Sequence, residues 1–202
     1  MYLDFGSFGC CSDIRSATMN FHKDLLLIDL ETTGLDASRQ EIIQLSAILL
    51  DKKTLKEKSF FNAYAKPVKW AQRNKESMRI NGIKKEWLNA APSLSSVLKE
   101  FNKKFNASEV ILSYYGGPVD MDFLRAAYYK HKIKWQFDYH YFNLWAYFYA
   151  VLAGKNQLKN KKKFTGFSLE DLMKKFKIKS QSRHDGLEDC RIEAEVLRKL
   201  IK

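Results

Sequence analysis

The sequence predicts an α/β protein with a mixed five-stranded sheet, in which a three-strand antiparallel meander is joined to parallel strands and flanked by helices. Three strand-like segments follow one another through short polar links, and helical patterns then alternate with short apolar runs. Hydrophobic residues make up 46% of the 202 residues, enough for a packed core. We expect one domain over residues 21–202, preceded by a loose tail at residues 1–20, which show no periodicity.

The first three strands are predicted at residues 25–29, 41–50 and 56–64. The first is a continuous apolar run, typical of a buried strand, and a Thr-Thr-Gly turn follows it at residues 32–34. The second alternates in part, and residues 51–53 link it to the third. Short polar links favour antiparallel neighbours.

The second half of the chain alternates between helices and strands. Apolar residues at helical spacing predict helices at 77–81 (ending at Gly82), 93–105, 121–131, 143–152 and 187–201. Short runs between them predict the fourth and fifth strands at 110–113 and 134–139. A further helix is expected to begin after Ser168, because Asp171 stands at capping-box spacing.

The chain is basic, with 35 Lys plus Arg against 23 Asp plus Glu and a formal charge of +12. This excess indicates either a solvated surface or attraction to a polyanion such as nucleic acid, and charge alone does not choose. The lysine-rich run at residues 159–163 has the same two interpretations, phosphate contact or solvated loop. The aromatic stretch 128–149 suggests base stacking, but its helical spacing favours core packing.

Cysteine usage and hydropathy indicate the cellular compartment in which the protein is expected. Cys10, Cys11 and Cys190 are odd in number and include no Cys-x-x-Cys pair, which argues against a disulfide framework or structural zinc and favours a reducing cytoplasm. No apolar run approaches the ~20 residues of a membrane span, and the N-terminal residues lack a signal-peptide pattern. We therefore expect a cytoplasmic protein without a membrane partner.

An acidic pair closes the first predicted strand. Asp29 and Glu31 stand two residues apart and therefore point to the same face of a strand. Two carboxylates so placed repel each other unless a cation lies between them, which favours metal ligation over a merely polar strand end.

Three more residues suit the same site. Asp120 follows the fourth predicted strand across a Gly-Gly-Pro turn and is expected to point inward, whereas Asp122 points outward. The alternative role of Asp120 is to offset a helix dipole.

His184 precedes Asp189 by five residues. If His184 lies in the loop before a helix and Asp189 lies in its first turns, both side chains can reach one point. His184 has a pKa near ~6.5 if unperturbed, so it is either a base for water or an exposed loop residue. Asp185 and Glu188 are interpreted as helix N-terminal acids. Together the acids and the histidine suit metal-assisted phosphodiester hydrolysis.

Three motifs in order resemble the DEDDh (DnaQ-like) family of 3′-to-5′ exonucleases, which includes the proofreading epsilon subunit of bacterial DNA polymerase III. They are Asp29-x-Glu31, Asp120-x-x-Phe123-Leu124 and His184-x4-Asp189. The resemblance implies a ribonuclease H-like fold and two divalent cations, Mg²⁺ or Mn²⁺, held by Asp29, Glu31, Asp120 and Asp189. It also implies that His184 is the general base and that Gly34 and Leu35 hold the terminal nucleotide.

Two departures from the family concern substrate and partner. Tyr115 and Gly116 stand where relatives often carry a His-Asn pair, and Tyr115 either stacks on a base, as a substrate-binding residue, or packs. The sequence stops soon after the last motif, without the extension by which the epsilon subunit engages its polymerase, so a free-standing nuclease is expected.

The expected activity is a metal-dependent 3′-to-5′ exonuclease that acts on single-stranded or frayed 3′ ends, with DNA as substrate, and releases nucleoside monophosphates. The alternatives are an RNA-trimming exoribonuclease and an inactive nucleic-acid-binding module of the same fold. No residue reads the 2′-hydroxyl unambiguously, so the choice between DNA and RNA stays open.

Overall fold

A computed structural model describes residues 20–117, 119–158, 167–180 and 185–201. The strands in this part of the chain are β1 (Asp24–Thr32), β2 (Ile42–Leu50), β3 (Glu57–Tyr64), β4 (Val110–Tyr114) and β5 (Phe142–Asn143). The helices are α1 (Lys75–Asn81), α2 (Lys85–Ala90), α3 (Leu94–Lys104), α4 (Val119–Lys130), α5 (Leu144–Gly154), α6 (Leu169–Phe176) and α7 (Gly186–Ile201). A short 3-10 helix, Trp70–Gln72, precedes α1.

The five strands form one mixed sheet in the order β3-β2-β1-β4-β5. The pairs β1–β2 and β2–β3 are antiparallel, whereas β1–β4 and β4–β5 are parallel. The predicted meander and the added parallel strands are therefore confirmed. The central position of β1 places the end of this strand in the middle of the sheet.

Helices cover both faces of the sheet, and alternate residues of β1 divide between them. Leu26 and Ile28 pack beneath α3 and α4. Leu25 and Leu27 pack beneath α5, α6 and α7. Each such buried side chain stabilises the fold by about 1.5–3 kcal/mol relative to exposure.

The strand predicted at residues 134–139 is wrong. Trp135 packs edge-on against Tyr128, with ring centroids 5.0 Å apart, and against Phe137 at 5.4 Å. The alternating aromatic residues imitate the period of a strand, but they fill the space beside α4. The fifth strand is β5, which pairs with Ser113 and Tyr114 and is too short to show any period.

Capping residues mark the ends of two other helices, α6 and α1. Ser168 and Asp171 form the predicted capping box of α6. The helix α1 ends at Gly82, whose φ of 63° suits glycine, but it begins at Lys75 because Asn74 caps it. The sequence did not predict α2.

Some sequence-based expectations lie outside the described residues. The tail at residues 1–19 and the lysine run at residues 159–163 are among them. Cys190, in the described part, is a free and buried thiol. Within the described ranges, none of the helices is both long and apolar enough to cross a bilayer.

Candidate active site

The face of β1 that lies beneath α7 changes from apolar to acidic along its length. Leu25 and Leu27 are buried in the core, and the next two residues on that face are Asp29 and Glu31. The same change occurs in β2, where Ser46 pairs with Asp29 and Gln44 pairs with Glu31. One half of this sheet face is therefore a hydrophobic floor, and the other half is polar.

Side-chain hydrogen bonds hold the polar half in place. Asn62 of β3 accepts hydrogen bonds at its Oδ1 from Gln44 Nε2 (2.9 Å) and from Ser46 Oγ (3.1 Å). Gln44 and Ser46 are both buried. Because buried polar groups are costly unless bonded, these contacts limit the conformations of the two residues behind the acidic pair.

Asp120 reaches the acidic pair from the first turn of α4. The backbone of Leu30, the residue between Asp29 and Glu31, hydrogen-bonds its carboxylate. Burial raises the pKa of Asp120 to about 7, and the Leu30 hydrogen bond opposes that rise. Asp122 is exposed, so the predicted distinction between the two aspartates is confirmed.

Asp189 is buried on α7, and a glycine lets this helix approach β1. A Cβ on Gly186 would lie 2.7 Å from Ser46 Oγ and 2.8 Å from Asp29 Oδ2, closer than real Cβ atoms approach other atoms. The residue at the start of α7 must therefore be small for the helix to stand over Asp29.

Burial and mutual repulsion raise the pKa values of the acidic pair. Burial raises the pKa of Asp29 well above its usual range, and the charges of Asp120, Glu31 and Asp189 raise it further. Burial raises the pKa of Glu31 to about 8, with further contributions from Asp189 and Asp120. The four carboxylates predicted from the motifs are thus close enough to repel one another, and a bound cation would relieve that repulsion.

The acidic cluster of Asp29, Glu31, Asp120 and Asp189 has a fifth member that was not predicted from the sequence. Glu193 of α7 is only 2% exposed, and its Oε2 is buried with no hydrogen-bond partner among the described residues. Burial raises the pKa of Glu193 well above its usual range, and the charges of Asp29, Asp120 and Asp189 add to that rise. Its position four residues after Asp189, on the same helix face, was the available signal.

The donor chemistry fits hard divalent cations. No group of three or more His, Cys, Asp or Glu side chains in the described ranges is already arranged to hold a metal ion. The cluster nevertheless offers carboxylate oxygens, the ligands that Mg²⁺ and Mn²⁺ prefer. The buried, unbonded Oε2 of Glu193 and the close approach permitted by Gly186 support the same fit.

The turn after β1 contains the residues expected to hold the terminal nucleotide. The end of the Gln40 side chain packs against Gly34, where a Cβ would lie 2.1 Å from its atoms, so a larger residue at this position would displace Gln40. Leu35 follows Gly34 and is 77% exposed, unusual for a large apolar residue. The turn thus presents an exposed apolar side chain four residues after Glu31.

The remaining predicted residues have other surroundings. The Tyr115 ring lies 5.9 Å from the Phe148 ring at the edge of the core, which fits the packing alternative. Asp185 accepts a hydrogen bond from the Leu187 backbone N–H (3.1 Å) at the start of α7, as expected for an N-terminal acid. His184 lies outside the described residues.

The chain matches one protein-family model and the polymerases of two bacteria. The family model RNase_T, described as exonuclease, matches residues 26–197. DNA polymerase III PolC-type of Thermotoga petrophila and of Thermotoga maritima are each 23% identical to this chain over 209 residues. These matches cover 95% of the chain but only 13% of each polymerase.

Solved structures share the fold at low sequence identity. Cell-death related nuclease 4 (CRN-4) is 20% identical with a TM-score of 0.74, covering 89% of this chain and 64% of that one. The nuclease domain of 3′hExo, a DEDDh family member bound to rAMP, is 20% identical with a TM-score of 0.69, over 89% and 92%. A complex of E. coli ExoI with single-stranded DNA is 19% identical with a TM-score of 0.75, over 87% and 40%. The predicted ribonuclease H-like fold is confirmed.

Proposed function

Because the chain belongs to the RNase_T family of exonucleases, we propose that it is a metal-dependent 3′-to-5′ exonuclease acting on single-stranded or frayed DNA ends. The supporting observation is that β1, α4 and α7 bring carboxylates together at one buried site, where burial and then mutual repulsion raise the pKa values of Asp29 and Glu31. Four acids from three elements make a costly arrangement for stability alone, and it is typical of a site that binds cations.

We assign the cations to Asp29, Glu31, Asp120 and Asp189. When bound, two ions of Mg²⁺ or Mn²⁺ would stabilise the attacking and leaving oxygens of an in-line displacement at phosphorus. The Leu30 backbone orients the Asp120 carboxylate, and Asn62 holds the polar floor behind the pair. His184 takes the proton from the attacking water, a role carried over from the third motif.

The 3′-terminal nucleotide lies at the turn after β1. Leu35 packs its exposed side chain against the terminal base, and Gly34 contacts the nucleotide through its backbone. Apolar contact with a base face does not depend on its sequence, so we expect little preference among the four bases.

Digestion of labelled single strands tests this proposal. The protein should shorten a 5′-labelled DNA strand from its 3′ end when Mg²⁺ or Mn²⁺ is present and leave it intact in EDTA. Asp29→Asn should remove nearly all cleavage, whereas Glu100→Gln, an exposed acid on α3, should leave it unchanged.

Two outcomes would decide against the proposal. A gel shift without shortening would favour the nucleic-acid-binding module. Faster digestion of a matched RNA strand would identify an exoribonuclease and overturn the DNA assignment.

A further inference from the structure

Three aromatic and three basic side chains form a surface that begins beside the acidic cluster. We name it the tryptophan strip, and it comprises Tyr64, Trp70, Arg73, Lys84, Lys85 and Trp87. Its residues come from the end of β3, the 3-10 helix and the start of α2, a part of the chain that the three sequence motifs do not include.

Ring and cation contacts make the strip continuous. The Tyr64 and Trp87 ring centroids are 5.9 Å apart. Lys84 Nζ lies 5.6 Å from the centre of the Trp87 ring, and Lys85 Nζ lies 5.7 Å from that of Trp70. Because Lys84 and Lys85 are adjacent, they connect the two tryptophans. Arg73 covers Trp70 at 4.8 Å from its guanidinium carbon.

One end of the strip meets the acidic cluster. Tyr64 pairs across the sheet with Gln44, which in turn pairs with Glu31. Burial raises the pKa of Tyr64, and the charges of Asp185 and Glu31 raise it further, as expected from their proximity. The Asn74 backbone N–H donates to the Thr33 carbonyl (2.6 Å), which fixes the start of α1 beside the turn after β1.

The strip is more exposed and more charged than a core edge requires. Trp87 is 48% exposed, and Lys84 and Lys85 are exposed as well. Within the described residues, no acidic side chain forms an ion pair with Lys84, Lys85 or Arg73. One exposed ring and two half-buried rings, bordered by unneutralised cations, suit a ligand that alternates flat apolar groups with negative charges.

We propose that the tryptophan strip binds the single strand on the 5′ side of the terminal nucleotide. The bases stack on Trp87 and Trp70, and the phosphates lie against Lys84 and Lys85. This inference rests on the proposed function, because it takes the acidic cluster as the point where the strand ends. Single-stranded nucleic acid is the occupant that matches both parts of the strip, and the chain's net charge of +12 favours it.

Equilibrium binding of a fluorescent dT12 strand in EDTA, measured by anisotropy, tests the strip without cleavage. Trp87→Ala should weaken binding by about 5-fold to 150-fold, the loss of one base-stacking contact. The double variant Lys84→Gln/Lys85→Gln should weaken binding and reduce the slope of log K against log salt by about 1.4, which corresponds to two phosphates on a single strand. Both lysines are exposed, so this variant keeps the test decisive if Trp87→Ala fails to fold.

The matched control is Lys103→Gln/Lys104→Gln. These lysines are also adjacent and exposed, and they end α3 on the opposite face of the sheet. Lys104 Nζ lies 6.0 Å from the exposed Phe60 ring, so the control removes a similar cation–aromatic pair that lies four residues along β3 from Tyr64. Equal losses in the two lysine pairs, or unchanged binding by Trp87→Ala, would overturn the strip.

Cleavage of dT2 and dT12 separates this inference from the proposed function. Strip variants should cleave the dinucleotide at the wild-type rate but show a raised KM for dT12, because only the longer strand reaches the strip. If the wild-type protein cleaves neither substrate, the proposed function fails. The anisotropy measurement then still tests whether the tryptophan strip binds a single strand. If it cleaves both and the strip variants keep the wild-type KM for dT12, only the strip is overturned.

Discussion

Replacing Glu31 with glutamine tests whether the acidic cluster stores repulsion that a cation relieves. The native protein holds a proton on Glu31 up to a pKa of about 8, whereas the unfolded chain releases it at the usual pKa of 4.5. Because the native state binds more protons between these values, its stability falls as the pH rises through that window. Glutamine has the same shape but no charge to lose.

The size of the effect follows from the pKa of Glu31. A rise from 4.5 to about 8 corresponds to about 5 kcal/mol when one carboxyl accounts for all of it. Ionisation of Asp189 and Asp120 contributes part of that rise, so we expect Glu31→Gln to unfold with a free energy ~2 to 5 kcal/mol above wild type at pH 8.5. At pH 4 the two proteins should be equally stable.

Urea denaturation followed by tryptophan fluorescence, in EDTA at the two pH values, measures this difference. Mn²⁺ at about 100 times its dissociation constant should then stabilise wild type by ~2.7 kcal/mol at pH 8.5, and Glu31→Gln by less. Glu100→Gln should match wild type throughout, because this exposed acid lies on α3 away from the cluster. Equal stabilities of wild type and Glu31→Gln at pH 8.5 would refute the reasoning.

Three further substitutions address other parts of the site. Gly186→Ala should lower both the cleavage rate and Mn²⁺ affinity by at least about 10-fold, because its Cβ would meet Ser46 and Asp29. We expect this loss despite a gain of ~1 kcal/mol in helix propensity. A wild-type cleavage rate would show that the close approach of α7 to β1 is not needed. Glu193→Gln should raise the unfolding free energy in EDTA at pH 8 and weaken Mn²⁺ binding in calorimetry, because burial and the neighbouring acids raise the pKa of Glu193. If both values stay unchanged, Glu193 does not belong to the cluster. His184→Asn should keep Mn²⁺ binding but lose the rise in cleavage rate with pH near ~6.5; a flat wild-type profile from pH 5 to 8 would contradict its role as base.

Features that depend on neighbouring residues were predictable from the sequence. Asp29 and Glu31 share a face because a strand alternates, whatever lies above it. The α6 capping box was recognisable because Ser168 and Asp171 bond to each other's backbone and side chain, three residues apart in the sequence. The three motifs then brought in Asp120 and Asp189, whose approach no local pattern encodes.

Features that depend on distant packing were not predictable. The aromatic residues at 135 and 137 alternate like a strand, but their position follows from the space that Tyr128 leaves beside α4. Glu193 looks like an ordinary helix residue until α7 is placed over β1. The sequence drew attention to the aromatic stretch 128–149, whereas the tryptophan rings beside the site are the half-buried Trp70 and the exposed Trp87, brought together by lysines of a helix that was not predicted.

The placement of α7 over the central strand bears on how the protein becomes active during synthesis. β1 is synthesised before all the other described elements and α7 after them. In a growing chain, Asp29 and Glu31 therefore lack Asp189 until nearly all of the described sequence has been made. Until then the apolar floor at Leu25 and Leu27 lacks its cover, which makes the partial chain a target for chaperones. Under the proposed function, a polypeptide released before α7 would lack Asp189 and should cleave no nucleic acid.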